Sequence, residues 1–300
     1  MPRIVSFLPA ATEITYALGA GADLVGRSHE CDYPPQARSL PIVSKPALPL
    51  TGLSQNEIDR AVSARLATGE SLYQVDEALL DQLKPDLVFT QNLCQVCAPS
   101  GNELSRALLE ISPPPQVLSL TPRTFAEIEQ NILAIGDATD RKEAAQKLVE
   151  NNRDRIRKVV EAVAQAPRRR VAFLEWTEPL FCGGHWMPEM VSAAGGIDPL
   201  GQPGADSRRI TWDDVAVFEP ETIIVAPCGY GLQEAIAVAK RLPRITDAEV
   251  YAVDANAYFA RPGPRVAEGV ELLAHLFHPD LFSWPHPQQP WAKINDVPTS

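Results

Sequence analysis

The cysteines of this chain lie where their chemistry is accessible. All five follow apolar, strand-like runs and fall in segments with the composition of loops, although cysteine is normally among the most buried residue types. Thiolates with a nearby imidazole suit zinc or an Fe–S cluster, and a thiolate can also act as a nucleophile. The candidate metal ligands are Cys31, Cys94, Cys97, Cys182, His185 and Cys228.

The pair Cys94 and Cys97 is ambiguous, because a single Cys-x-x-Cys spacing fits a redox pair, a metal knuckle or coincidence. An odd number of cysteines in a chain of 300 residues argues against a structural disulfide framework. Two interpretations stay open: the thiols converge on a metal, or they are packed singly.

Aromatic and polar side chains share these loops with the cysteines. A flat, largely apolar macrocycle needs ring faces and a hydrogen-bonding rim, so the predicted ligand is a corrinoid, such as cobalamin, or another metal chelate. The competing interpretation is that the rings pack the loops and the carboxylates are solvated. The candidate ligand-binding residues are His29, Glu30, Tyr33, Gln91, Trp176, Phe181, Trp186, Asn256 and Tyr258.

Apolar runs of strand length position these loops, and they alternate with helical periodicity or Gly/Pro punctuation. This alternation predicts an α/β fold with mostly parallel strands, in which ligands bind outside the carboxyl ends of the strands. The predicted strands are residues 4–7, 87–90, 117–120, 171–174, 222–226 and 250–253.

The order of helix end, proline, acidic residue and strand occurs at 83–89 and again at 218–224, which indicates two similar Rossmann-like lobes. Residues 141–165 contain no Gly or Pro and carry apolar residues at helical spacing, so a single long helix is predicted to join the lobes, with the ligand cleft between them. The predicted organisation is an N-terminal α/β lobe at 1–122, a helical segment including the inter-lobe helix at 123–167, a C-terminal α/β lobe at 168–279 and a Pro-rich tail at 280–300 that is either extended against a lobe or disordered.

Composition and missing motifs exclude several functions. A formal charge of -11 at pH 7 and the lack of a long basic run argue against nucleic acid as a partner. No apolar stretch approaches the ~20 residues of a membrane span, and the early first strand leaves no room for a signal peptide, so we expect no membrane insertion and a cytoplasmic location. Nucleotide and acyl-transfer chemistry lack their motifs, since there is no Walker loop, Gly-x-Ser-x-Gly elbow or Gly-x-Gly-x-x-Gly turn after the first strand.

Several motifs resemble one known family. They are Pro-Ala-Ala-Thr-Glu at 9–13, Asp-Tyr-Pro-Pro at 32–35, Lys-Pro-Asp-Leu-Val at 84–88, Pro-Leu-Phe-Cys-Gly-Gly at 179–184 and Tyr-Phe-Ala-Arg at 258–261. Over roughly residues 3 to 278 the chain resembles the class III periplasmic binding proteins for vitamin B12 and iron–siderophores. The resemblance implies two lobes joined by a single rigid helix, a corrinoid or other chelated metal in the cleft, and little domain closure.

Three features depart from the transport members of that family: the lack of a signal peptide, the Cys94-x-x-Cys97 loop, and Ala260 in place of an acidic docking residue. They make transporter docking doubtful, although Glu103 matches the docking acid of the first lobe. The resemblance therefore favours a cytoplasmic cobalamin-binding homologue that takes up a small-molecule metal chelate. The alternative is a cytoplasmic metalloprotein or thiol-dependent enzyme with zinc or an Fe–S cluster in the same cleft, so enzymatic activity stays open.

Overall fold

The computed structural model of the chain describes residues 2–50, 52–91, 108, 111–244 and 247–294. The chain divides into two compact units. The first consists of Met1–Pro122 with Ala126–Glu150, and the second of Arg123–Phe125 with Asn151–Ser300. Each unit contains its own mostly parallel sheet with helices, which confirms the predicted class of two α/β domains.

The first domain is built on a six-stranded sheet. Its strands are β1 (Ile4–Ser6), β2 (Leu24–Ser28), β3 (Ile42–Pro46), β4 (Tyr73–Val75), β5 (Leu87–Thr90) and β6 (Gln116–Ser119). The strand order is β4-β3-β2-β1-β5-β6, and all neighbours run parallel except β3 and β4. The central strands β1 and β5 are buried along their whole length, as unbroken apolar runs predict for inner parallel strands.

The helices of the first half begin at residues suited to that position. α1 starts with Pro9, α2 is capped by reciprocal hydrogen bonds between Ser54 and Glu57, and Asp76 caps α3. Short 3₁₀ helices occupy Gly21–Asp23 and Pro35–Ser39. The α-helices are α1 (Pro9–Ala17), α2 (Gln55–Ala67), α3 (Glu77–Leu83) and α4 (Phe125–Ala138).

A long helix, α5 (Lys142–Val163), begins in the first unit and ends in the second. Its 22 residues extend about 33 Å and coincide with the stretch predicted from 141 to 165. The apolar residues Ala145, Val149, Val159 and Val163 are buried, while most charged positions are exposed. The predicted connecting helix is therefore confirmed.

The second domain has the strand order β12-β11-β10-β7-β8, and β9 pairs with the start of β7. Its strands are β7 (Arg169–Thr177), β8 (Leu180–Cys182), β9 (Gly196–Ile197), β10 (Thr222–Val225), β11 (Glu249–Val253) and β12 (Trp291–Ile294). The pairs β7/β8 and β11/β12 are antiparallel and the others parallel. Its helices are α6 (Met187–Ala193), α7 (Trp212–Phe218), α8 (Leu232–Ala239), α9 (Ala255–Tyr258) and α10 (Val266–Phe277).

The Pro-rich tail contributes to the second sheet. β12 pairs with β11 in the register Val253 to Trp291, so residues 291–294 are extended against the domain. Within the described ranges, no helix combines the length and apolar character that a membrane crossing requires.

Candidate ligand-binding site

A buried arginine organises the loop that follows β2 in the first domain. Arg27 donates from Nη1 to the carbonyl oxygen of Ser28 at 3.0 Å and from Nη2 to that of Arg38 at 3.2 Å. Its guanidinium is buried, so these carbonyls replace lost water and fix both ends of the loop. Residues 29–33 are thereby presented in a defined conformation beyond the carboxyl end of β2.

The polar candidates of the first domain fall at this edge. The Nδ1 atom of His29 lies 3.1 Å from the carbonyl oxygen of Ser44, and its Nε2 lies 3.1 Å from the Glu30 carboxylate. Tyr33 is 44% exposed. Gln91 directly follows β5, two strands away from β2 in the same sheet, and is buried.

Cys31 holds this loop against the sheet. Its Sγ atom lies 3.8 Å from the carbonyl oxygen of Ser6 and 3.6 Å from the hydroxyl oxygen of Ser28, and the residue is fully buried. Such contacts match a weak S–H donor in a packed site. Cys31 therefore packs against backbone and hydroxyl oxygens at the end of β1.

Aromatic residues gather where β7 and β8 form a hairpin in the second domain. Trp176 is opposite Phe181 in the strand register, and its ring meets Tyr230 edge to face at a centroid distance of 5.5 Å. The guanidinium of Arg209 lies 5.6 Å from the centre of the Phe181 ring. Trp176, Phe181 and Tyr230 are all partly exposed, so they offer ring surface at the carboxyl edge of the second sheet.

The turn after β8 is shaped by Gly184. A Cβ atom there would lie 2.3 Å from the backbone nitrogen of Ser207, so only glycine permits this approach. The Glu175 carboxylate joins the two segments, since it accepts hydrogen bonds from the Gly184 amide at 3.2 Å and the Ser207 hydroxyl at 2.7 Å. Residues 205–210 then run alongside β8 and form backbone hydrogen bonds with it, one of them from the Cys182 N–H to the Arg208 carbonyl oxygen.

His185 follows this turn with a positive φ of 54°. Its Nε2 lies 3.2 Å from Asp206 Oδ1, an atom that also pairs with Arg123 at 2.9 Å. The His185 imidazole therefore contacts the Asp206 carboxylate, whose charge is already balanced by the Arg123 guanidinium. His185 is placed as part of a local ion-pair cluster of the second domain.

Trp186 and Cys182 belong to the interior of the second domain. Trp186 is 6% exposed and its indole N–H donates to the Phe259 carbonyl at 2.9 Å, so it presents almost no ring face to a ligand. Cys182 is part of the hydrophobic core, and burial raises the pKa of its thiol. A buried neutral thiol is a poor metal ligand and a poor nucleophile.

The last candidates lie on and beside the one-turn helix α9. Asp254 caps this helix by accepting the Ala257 amide, and Asn256 donates from Nδ2 to the Gly229 carbonyl at 2.9 Å. Tyr258 is partly exposed, with the Arg265 guanidinium 6.0 Å from its ring centre. Cys228 is exposed beside Gly229.

The predicted metal centre is not supported. In the part of the chain that the structure describes, no three His, Cys, Asp or Glu side chains are grouped so that they could hold a metal ion. Cys31 is buried against backbone and hydroxyl oxygens, Cys182 lies on β8 in the hydrophobic core, and Cys228 is exposed on the loop after β10. Cys94, Cys97 and Glu103 lie outside the described residues.

Sequence reasoning missed three side chains that complete the aromatic edge: Tyr230, Arg209 and Arg265. The sequence could have indicated Tyr230, because this residue follows the predicted strand at 222–226 by a few positions, just as Tyr258 follows the predicted strand at 250–253. Arg209 had none, since its position beside Phe181 depends on the pairing of a loop about 25 residues further along the chain with β8.

The family model described as "Periplasmic binding protein" matches residues 4–245. The Vitamin B12-binding protein of Vibrio cholerae is 26% identical over 285 residues, covering 90% of this chain and 87% of that protein. A Bacillus subtilis protein, the uncharacterized ABC transporter substrate-binding lipoprotein YvrC, is 26% identical over 296 residues, covering 93% of this chain and 81% of that one.

Solved structures share the fold. The crystal structure of the periplasmic vitamin B12 binding protein BtuF of Vibrio cholerae has a TM-score of 0.63 at 24% identity, covering 92% of this chain and 96% of that chain. A periplasmic heme binding protein from Pseudomonas aeruginosa has a TM-score of 0.72 at 18% identity and covers 99% of each chain.

These similarities correct two expectations. The predicted cytoplasmic location is wrong, because the relatives are periplasmic binding proteins or a substrate-binding lipoprotein, which work outside the cytoplasm. The argument against transporter docking is not supported, since one relative is named as the substrate-binding lipoprotein of an ABC transporter. Zinc and Fe–S clusters likewise have no support, since the names of the Vibrio cholerae and Pseudomonas aeruginosa proteins give vitamin B12 and heme as the bound molecules.

Proposed function

Because this chain belongs to the periplasmic binding protein family, we propose that it binds a corrinoid and presents it to an ABC importer. The coarser class, a binding protein of this family, follows from the match over residues 4–245. The choice of a corrinoid rests on the relatives named Vitamin B12-binding protein together with the chemistry of the aromatic edge of the second domain.

The observation that carries the proposal is the set of half-buried rings at that edge. Tyr230 and Tyr258 follow β10 and β11, and Trp176 lies near the carboxyl end of β7, opposite Phe181 of β8. All four rings therefore lie at or near the carboxyl edge of one sheet, where open α/β sheets bind ligands. A corrin ring is flat and apolar on its faces, so ring-to-ring contact removes apolar surface from water. Their partial burial also means that little side-chain freedom is lost on binding.

Polar groups near these rings would recognise the rim of the ligand. Asn256 is held by the Gly229 carbonyl, so its amide is oriented before the ligand arrives. Corrinoids carry amide side chains around the ring, and an oriented amide can exchange hydrogen bonds with them. In the first domain, the loop that Arg27 fixes presents His29, Glu30 and Tyr33, and Gln91 follows β5. For these side chains we propose a hydrogen-bonding role toward a ligand of that domain's edge.

Calorimetric titration of the full chain with cyanocobalamin, cobinamide and hemin tests this proposal. We expect cyanocobalamin to bind with a Kd of about 1 micromolar or tighter, equivalent to about 8 kcal/mol, because the loops are preorganised. Cobinamide lacks the nucleotide loop, so its affinity tells whether the ring alone is recognised. Binding of hemin without either corrinoid would replace the proposed ligand by a porphyrin, and no binding of any of the three would refute the proposal.

Two substitutions connect binding to the rings. Phe181→Ala and Tyr258→Ala should each weaken cyanocobalamin binding about 10-fold or more, since truncating an aromatic contact in a binding site typically costs over 1 kcal/mol. Phe218→Ala is the matched control, because Phe218 packs against the core at the end of α7. The control should lower thermal stability and leave the Kd within about twofold of the unsubstituted chain.

A further inference from the structure

We propose that the tail segment, residues 284–294, positions Tyr258 for its ligand, with Trp284 as the positioning residue; this inference rests on the proposed function. The family model matches residues 4–245, so both α9 and the tail segment lie beyond the matched range. Its contacts converge on α9, the helix that carries Asn256 and Tyr258.

Trp284 makes the direct contact. Its ring meets Tyr258 edge to face, with centroids 5.9 Å apart and an interplanar angle of 77°. The centroid of the same indole lies 5.8 Å from that of the Trp291 ring and 4.5 Å from that of the His286 ring. Its Nε1–H donates to the Gln288 carbonyl oxygen, with the two heavy atoms 2.5 Å apart. Trp284 is therefore fixed within the tail segment and offers Tyr258 a rigid neighbour.

The tail segment is itself anchored at two places. β12 pairs antiparallel with β11, and Trp291 packs against His275 of α10 at 5.0 Å. His286 lies 3.0 Å from the Glu271 carboxylate, which also forms a bidentate pair with Arg155 of α5. These contacts connect the tail segment to α10 and, through Glu271 and Arg155, to α5.

The tail segment also supports the start of α9. The Pro290 carbonyl accepts the Asp254 amide at 2.9 Å, and Asp254 in turn caps α9 through the Ala257 amide at 2.9 Å. α9 has only 4 residues, too few to be stable without support from other parts of the domain. Both the cap and the final residue of α9 therefore depend on the tail segment, which fixes the direction of the Tyr258 ring.

A purely structural role makes a different prediction. If the tail segment only covered the core, its substitutions would lower the stability of the second domain and leave ligand affinity unchanged. A positioning role requires that affinity falls in proportion to the loss of the aromatic contact, and that another ring at position 284 restores it.

Two variants of the full chain separate these cases: Trp284→Leu keeps apolar volume without an aromatic edge, and Trp284→Phe keeps the edge. With cyanocobalamin as the probe, we expect Trp284→Leu to raise the Kd about 3- to 10-fold and Trp284→Phe to stay within about twofold. Trp212→Leu is the matched control, because Trp212 packs against the core through α7. Equal effects of the leucine and phenylalanine variants, or a similar Kd change in the control, would overturn the proposal.

A ligand-free measurement keeps the inference separate from the proposed function. Amide hydrogen exchange at residues 255–260 should be faster in Trp284→Leu than in the unsubstituted chain, and unchanged in Trp212→Leu. If the unsubstituted chain binds neither cyanocobalamin nor hemin, the proposed function fails while this exchange result still decides whether Trp284 orders α9. Unchanged exchange in Trp284→Leu refutes the positioning role whatever the ligand.

Discussion

Glu271 provides the sharpest energetic test of how the second domain is held together. It lies on α10 with only 8% of its side chain exposed, and it accepts hydrogen bonds from Arg155 Nε at 2.8 Å and Nη2 at 2.6 Å. The substitution Glu271→Gln keeps the shape of the side chain and removes the charge. Arg155 is then left as a largely buried cation with a weaker acceptor.

The expected cost is about 3 kcal/mol, the lower end of what breaking a buried ion pair costs. The lower end applies because Arg155 keeps a second carboxylate, Glu268, at 3.5 Å. Glu161→Gln is the control on the same helix as Arg155, since Glu161 pairs with Arg157 at an exposed site. That pair is exposed and screened by solvent, so its loss should change the free energy of unfolding little.

Urea unfolding followed by tryptophan fluorescence measures these values. All five tryptophans lie in the second unit, so the signal reports the domain that contains the pair. A free energy of unfolding for Glu271→Gln within about 1 kcal/mol of the unsubstituted chain, or no larger a loss than for Glu161→Gln, would refute the assignment.

The pH dependence of this pair has a defined sign. Burial acts to raise the pKa of the Glu271 carboxyl, but hydrogen bonds from Arg155 and His286 outweigh it and place the pKa below the ordinary value of 4.5. The stabilisation is therefore complete at neutral pH and is lost as the pH falls through the lowered pKa. The difference between the unsubstituted chain and Glu271→Gln should shrink under strongly acidic conditions.

Two further results are expected. Burial raises the pKa of Asp198 to about 6, so its contribution to stability falls by up to about 3 kcal/mol as the pH rises from about 4 to beyond 6. Asp198→Asn should lack this decrease in urea unfolding, and parallel pH curves would contradict the shift. Gly184→Ala should cost about 2 kcal/mol and weaken cyanocobalamin binding, because its Cβ would meet the Ser207 backbone. Gly231→Ala is the control, because its Cβ would contact only Glu234, at 3.8 Å. It should lower stability and cyanocobalamin affinity less than Gly184→Ala does, and equal losses in the two variants would contradict the clash with Ser207.

The strands that could be predicted from sequence are those with unbroken apolar runs. All six predicted strands are present. Five of them are inner strands, which are largely buried and need no polar alternation, whereas β6 is an edge strand in which Val117 is 47% exposed. The strands that were missed are short or irregular: β2 includes Gly26 and Arg27, and β12 lies among prolines and glutamines. Their pairing depends on neighbours distant in the sequence, which a local pattern does not reveal.

The candidate site was harder to predict, because residue type indicates chemistry and says little about burial. Phe181 lies on β8 and Trp186 follows that strand by four residues, yet the indole is buried in the core while the phenyl ring stays partly exposed. Cys182 alternates with Phe181 along β8, so one side chain faces the core and the other faces outward. The cysteines of the described loops are thus distributed by strand alternation and local packing.

Equilibrium dialysis of the full chain against cyanocobalamin, side by side with the double variant Phe181→Ala Tyr258→Ala, tests the central claim most directly. We predict that the unsubstituted chain retains at least about half a cyanocobalamin per chain at a free ligand concentration near 1 micromolar, and that the double variant retains almost none at the same concentration. Equal retention by both proteins would contradict the aromatic edge as the binding surface, and no retention by either would contradict corrinoid binding itself.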